Sequence, residues 1–256
     1  AASDVYKRQV NNTSMSRDTG RVFKSYCTEG DVYYAMLLFD DAYNYYEKAR
    51  ILATQNNSGC KQGAYLFRIA MIFYNEEKYV LAARLFADSY EKNLSCRVKA
   101  DNISFYLRQQ EILDNTGLAY DKANQRDSAI YFFRKCINYL EENKVVFPLT
   151  TAFWQEALSI VHGNLATTFH KAGMTDSAEI YFTSSIQLNK IANRTIIDRQ
   201  YNLLKLAILY AELGKYKNAY ACLQEELQTN DSQTQRILSK NNSIDLENRR
   251  SYALYE

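Results

Sequence analysis

The segment LAILYAELGKYKNAYACLQEEL, Leu206 to Leu227, decides how this chain folds. Its small residue Ala207 is followed by Tyr210, Ala219, Leu223 and Glu226, at steps of three, nine, four and three. Leu213-Gly214-Lys215 separates two runs whose apolar residues recur at helical spacing. That arrangement predicts two helices joined by a tight turn.

The same steps fit four times upstream. They connect Ala166, Phe169, Ala178, Phe182 and Ser185, and Gly117, Tyr120, Ala129, Phe133 and Cys136. Nearer the start they connect Ala70, Phe73, Ala82, Phe86 and Ser89, then Gly30, Tyr33, Ala42, Tyr46 and Ala49. Background frequencies give one such match at roughly one starting position in ten thousand, so five in one chain are internal repeats. Small residues on facing helices permit close approach, and the aromatics fill the grooves around the contact. A single pair buries only one face, so stacking is what creates a continuous core.

The series small, aromatic, alanine, aromatic, small resembles that of the tetratricopeptide repeat (TPR) family, over residues 20–233. The resemblance implies an all-α, right-handed α-α superhelix of about five antiparallel helix pairs plus a C-terminal helix. Three features depart from the family pattern. Leu223 and Glu226 replace the usual aromatic and small residue, and Pro148, the only proline, closes no repeat. The small residues at 30, 70, 117, 166 and 207 stand 40, 47, 49 and 41 apart, against 34 in the family, which predicts longer helices or links.

Composition agrees with a helical scaffold. The chain has 256 residues, 47% of them hydrophobic and 14% aromatic, with eight glycines and one proline. A net charge of +2 gives no electrostatic case for nucleic acid or an anionic membrane. No stretch approaches 18 consecutive apolar residues, so no membrane span is expected in this region. The cysteines at 27, 60, 96, 136 and 222 show no metal-ligand spacing. Cys136 occupies a packing position and Cys222 lies beside one, whereas Cys60 and Cys96 fall near repeat ends, where a bridge or redox role stays open.

Residues 1–9 are set aside, because Asp4-Val5-Tyr6-Lys7-Arg8-Gln9 is what a transposon-end sequencing adapter encodes, marking a metagenomic fragment. Residues 10–19 read as a polar link. Repeats are expected near 21–56, 61–93, 96–143, 149–190 and 195–229. The helix leading to Gly117 reads back at helical spacing to Ser95, about 25 residues and nearly 40 Å. Asp176 with Glu179 three later resembles a capping box. Residues 234–256 form a last helical run with no terminator, with Ile237, Leu238, Ile244, Leu246 and Leu254 as its inward residues.

The sequence carries no catalytic or metal-binding constellation. His162 and His170, the only histidines, lie eight apart with no cysteine or carboxylate at ligand spacing, so neither metal nor cofactor is expected. No nucleophile elbow, phosphate-binding loop, zinc-protease or kinase signature occurs, and an enzyme is not expected. The repeat aromatics, including Tyr33, Phe73, Tyr120 and Tyr210, read as core rather than as base-stacking platforms, and Tyr79 and Tyr216 as packing at the turns.

In the family the binding face is the concave side, lined by the first helix of each pair. The resemblance assigns to it Asp31 and Tyr34, Met71 and Tyr74, Leu118 and Asp121, Thr167 and His170, and Ile208 and Ala211. The lysine and asparagine that some members use to clamp chaperone tails are absent, since their positions carry Phe67 and Met71, or Asp114 and Leu118. The implied function is a protein- or peptide-binding scaffold, with self-association also open. The 40-odd-residue repeats and the Asp127-Ser128-Ala129 and Asp176-Ser177-Ala178 turns most resemble the sensory regions of bacterial TPR-containing sensor histidine kinases. Such a region would be periplasmic. Alternatives are the repeat region of a helix-turn-helix transcriptional regulator, which would be cytoplasmic, and a free-standing periplasmic assembly or chaperone-like scaffold.

Overall fold

A computed structural model describes residues 19–55, 58–96, 103–147, 152–192 and 196–229. The adapter-like start, Pro148 and the expected helix 234–256 lie outside the described residues. The helices are α1 (Thr19–Ala35), α2 (Phe39–Gln55), α3 (Gly59–Asn75), α4 (Tyr79–Asn93), α5 (Ile103–Lys122), α6 (Arg126–Glu142), α7 (Phe153–Lys171), α8 (Thr175–Ala192) and α9 (Ile196–Glu212). A short 3-10 turn spans Lys144–Val146, and residues 216–229 form α10. No strand occurs among the described residues. The chain divides into two compact units, Ala1–Tyr139 and Leu140–Glu256. The first holds α1 to α5 and most of α6; the second holds α7 to α10.

Five turns join first to second helices, and they share one backbone geometry. Seven residues after each small residue the chain enters the left-handed region, at Leu37, Glu77 and Asn124 (φ 61°, 61° and 58°) and at Gly173 and Gly214 (φ 74° and 69°). The next amide then reaches back to the carbonyl of the first-helix aromatic. Leu38 N donates to Tyr33 O, Lys78 N to Phe73 O, Gln125 N to Tyr120 O, Met174 N to Phe169 O and Lys215 N to Tyr210 O, at 2.8 to 3.0 Å. This six-to-one bond closes a helix and points its successor back along it.

Close approach then explains the small residues. A Cβ placed on Gly117 would stand 2.5 Å from Phe133 Cε1, and one on Gly30 would fall on the Tyr46 ring. Ala42, Ala49, Ala82, Phe86, Ala129, Phe133, Ala166, Ala178 and Phe182 are fully buried, as the spacing predicts. The fifth residue of the series touches main chain: Ser89 Oγ donates to Gly63 O at 2.8 Å, Cys136 Sγ to Gln110 O at 3.4 Å, and Ser185 Oγ to Ser159 O at 2.7 Å. Each partner lies 26 residues upstream, so the second helix is pinned to one register.

Four expectations need correction. Tyr33, Phe73 and Tyr120 are half-buried rather than core, because the turn places them at its rim. Tyr216 is 72% exposed and does not pack at its turn, whereas Tyr79 does, edge-on to Tyr74. Helix α5 does not run back to Ser95, which lies in a turn after α4. Glu179 makes no capping box; its two carboxylate oxygens accept from Tyr210 Oη (3.0 Å) and Lys215 Nζ (2.8 Å) of the following pair.

Candidate functional site

The residues expected to line the concave side all sit on first helices: α1, α3, α5, α7 and α9. In the first unit, Asp31 on α1 receives Arg68 of α3 through two bonds, Nε to Oδ1 at 2.7 Å and Nη2 to Oδ2 at 2.9 Å. Arg68 Nη1 also donates to Ala64 O at 3.0 Å, which fixes the guanidinium plane. Tyr46 from α2 donates to the same carboxylate at 2.9 Å, and burial followed by the Asp31 charge raises its hydroxyl well above the ordinary range. One turn further, Asn75 Nδ2 donates to Tyr34 Oη at 2.6 Å and to Met71 O at 2.8 Å.

The second unit repeats this layout with different chemistry. Lys205 Nζ of α9 donates to Thr167 Oγ1 of α7 at 2.8 Å. His170 Nε2 lies 2.7 Å from Glu212 Oε2. Relative to the small residues at 30, 70, 166 and 207, these links join the same positions as Asp31–Arg68 and Tyr34–Asn75. Thr167 and Asp31 each follow the small residue by one, and Lys205 and Arg68 each precede the next by two.

The remaining candidates differ in exposure. Met71, Tyr74 and Leu118 are half-buried and Asp121 is buried, all in the first unit. Burial raises the Tyr74 hydroxyl above its usual range, with Tyr79, Asp121 and Asp114 adding to the effect. Ile208 and Ala211 are exposed in the second unit. The sequence reading missed Arg68, Asn75, Lys205 and Glu212, the partners on the next first helix. It also missed Arg108, whose guanidinium lies 4.6 Å from the centroid of the buried Phe67 ring and pairs with Glu111 at 2.9 Å. Only an alternation of polar types at matching repeat positions would have signalled them.

The histidines have separate environments. His162 Nδ1 lies 2.9 Å from Ser184 Oγ and its ring meets Tyr181 edge-on, and burial lowers its pKa to about 4. It is a neutral packing residue at physiological pH. No group of three or more histidines, cysteines or carboxylates able to hold a metal occurs among the described residues. Among them no helix is long and apolar enough to cross a membrane. Cys27 is buried, its thiol raised to about 11 by desolvation, and Cys136 is buried too. Cys60 and Cys96 form a disulfide, with Cα atoms 5.0 Å apart, that joins the start of α3 to the end of α4.

No family model matches the chain, and no curated protein matches it in sequence. Solved structures do match in fold. The apo form of RapI is 10% identical at a TM-score of 0.69, covering 85% of this chain and 73% of its own. A Podosopora anserina protein of nearly identical TPR-like repeats is 13% identical at 0.65, covering 86% and 99%. YrrB, a TPR protein with an unusual peptide-binding site, is 12% identical at 0.52, covering 84% and 90%. The helix pairs, their common turn and these likenesses establish one thing: the chain has the TPR-like helical-repeat fold.

Proposed function

We propose that the first-helix face binds an extended peptide segment of a protein partner, and that the chain is the sensory or regulatory region of a larger bacterial signalling protein of the sensor histidine kinase type. The observation that carries the binding reading is the repeated side-chain link between neighbouring first helices, Asp31–Arg68 with Tyr34–Asn75 and Thr167–Lys205 with His170–Glu212. Such links hold polar groups in place before a ligand arrives, which reduces the entropy lost on binding. In the first unit, beside the Asp31–Arg68 and Tyr34–Asn75 links, Met71, Tyr74 and Leu118 offer partly exposed apolar and ring surface. Alternating polar and apolar positions suit a chain whose main-chain groups are hydrogen-bonded while its side chains enter pockets. The peptide-binding site of YrrB, on a similar fold, supports the same reading.

The Cys60–Cys96 bridge supports an extracytoplasmic sensory role, since disulfides persist in oxidising compartments. A random dodecapeptide display library panned against the full chain tests the binding reading. Enriched peptides should lose binding at least tenfold to Met71→Ala/Tyr74→Ala; peptides that bind both proteins equally would show that the face is elsewhere. Long-read sequencing of the source DNA tests the signalling context. A downstream membrane helix and kinase core are expected, and an uninterrupted frame into a DNA-binding domain would replace the reading.

A further inference from the structure

The Cys60–Cys96 bridge is placed unlike the buried thiols of this unit. Cys27 and Cys136 are buried, whereas Cys60 and Cys96 are half-buried and line a cavity of about 640 Å³ together with Ser58, Gln62, Glu91 and Lys92. Main-chain geometry brings the two sulfurs to this place. Cys96 N donates to Asn93 O at 2.9 Å and Ser95 Oγ to Lys92 O at 2.7 Å, so the turn after α4 returns Cys96 onto the start of α3. A Cβ on Gly59 would fall on Ser95 Oγ, so only glycine admits so close an approach there. Disulfides that solvent reaches are the ones open to exchange with thiols.

The two sulfurs are not equivalent. Cys60 is the second residue of α3, whose N-cap Ser58 accepts from Lys61 N at 3.4 Å, and the positive end of that helix favours a thiolate there. Cys96 stands beyond α4, where Asn93 Oδ1, 3.7 Å from its Sγ, is an acceptor for a thiol proton. Cys60 is therefore the better leaving group, and Cys96 the sulfur to be attacked. The cavity also favours an anion. Lys92 lines it, Glu91 is paired with Lys135 at 3.7 Å, and the last carbonyls of α4 are occupied, Lys92 O by Ser95 N and Asn93 O by Cys96 N.

We infer that this cavity is a thiol–disulfide exchange site for a low-molecular-weight thiol carrying a carboxylate, the class of amino-acid and short-peptide thiols. Its volume is that of a small-molecule pocket. The incoming thiolate attacks Cys96 Sγ, the bridge breaks, and Cys60 leaves as a thiolate while the small thiol stays on Cys96 as a mixed disulfide. A second thiolate then attacks the small-molecule sulfur, releases Cys96 and departs as the small-molecule disulfide. Two electrons pass from the two thiols to the bridge, and their two protons end on Cys60 and Cys96. Opening the bridge frees the start of α3, the helix that carries Arg68, Met71, Tyr74 and Asn75. The exchange itself does not depend on peptide binding; as an input to the sensory region proposed above, it rests on that reading.

The test adds glutathione, or cysteamine as a cationic thiol without a carboxylate, to the oxidised full chain, quenches by alkylation and reads intact mass and peptide maps. The opening rate should rise in proportion to thiol concentration, with the first adduct on Cys96. Per thiolate, glutathione should open the bridge about tenfold faster than cysteamine. In Lys92→Glu, at an exposed position, that preference should be lost. A rate independent of thiol concentration would mean that the bridge is reached only through unfolding, and overturns the site. Cysteamine matching glutathione, or a first adduct on Cys60, overturns the assigned ligand or the assigned direction. Opening by a protein Cys-x-x-Cys dithiol alone, with neither small thiol reacting, gives the site to a protein partner instead. All but one of these readings come from the unmodified chain and none uses a peptide, so the exchange site and the peptide-binding reading fail separately.

Discussion

The five tight turns have one geometry in both units but not one sequence. In the second unit the left-handed position is glycine both times, Gly173 and Gly214, whereas the first unit places Leu37, Glu77 and Asn124 there. A side chain in that conformation costs about 1 kcal/mol relative to glycine. The first unit therefore holds its turns against a local preference, and the burial of Ala42, Tyr46, Ala82, Phe86, Ala129 and Phe133 on either side supplies the reason. Packing across the pair dictates the turn, and turn chemistry follows where it is free to.

The comparison can be pressed in four ways. The largest effect concerns a crosslink only the first unit has. Closing a loop of 36 residues is worth about 4 kcal/mol on chain-entropy grounds. Cys60→Ser/Cys96→Ser should therefore lose about that much in denaturant unfolding, with hydrogen exchange rising in α3 and α4 and unchanged in α7 and α8.

Equivalent close contacts should behave alike in both units. Ala129→Trp and Ala178→Trp each overpack a fully buried site, for a loss of about 3 kcal/mol. Thermal melts unmoved by both would mean that the packing register has been misread.

Acid should separate the units in the other direction. His162, in the second unit, has its pKa lowered from 6.5 to about 4 by burial, so the unfolded chain takes up a proton more readily. Its contribution is complete above pH 6.5 and is lost as pH falls through about 4, a loss of about 2 kcal/mol after allowing for its partly solvated ring. Urea unfolding at pH 7 and at pH 4 should show this, with a smaller difference in His162→Phe.

The smallest effect tests the turns themselves. Glu77→Gly and Leu37→Gly should each stabilise by about 1 kcal/mol, and Gly173→Leu should destabilise by about the same amount. A loss of stability in both glycine variants would mean that the side chains contribute contacts outweighing the backbone cost.

The helix pairs were legible because close approach forces a small residue to a fixed register, and steps of three, nine, four and three follow from that geometry. The common turn was not legible, since Leu37, Glu77 and Asn124 share no chemistry. The links between first helices were hidden for another reason. Asp31 lies 37 residues from Arg68 and Thr167 lies 38 from Lys205, while Tyr34 to Asn75 spans 41 and His170 to Glu212 spans 42, because α8 is one residue longer than α2. The concave candidates were named by the resemblance, and the structure divides them. Asp31, Tyr34, Thr167 and His170 are linked across first helices, and Asp121 is buried. Ile208 and Ala211 are exposed. Cys60 and Cys96 were visible only as residues near repeat ends, because their pairing needs the antiparallel return of α4 along α3.

That return gives the second pair a covalent clasp at the end opposite its tight turn. Held at its two ends and pulled, a chain with this clasp cannot pay out the residues inside the loop. At roughly 3.4 Å per extended residue, the 36-residue interval withholds about 120 Å of contour length until the bridge is reduced. The oxidised chain is thus shorter under load than its residue count allows.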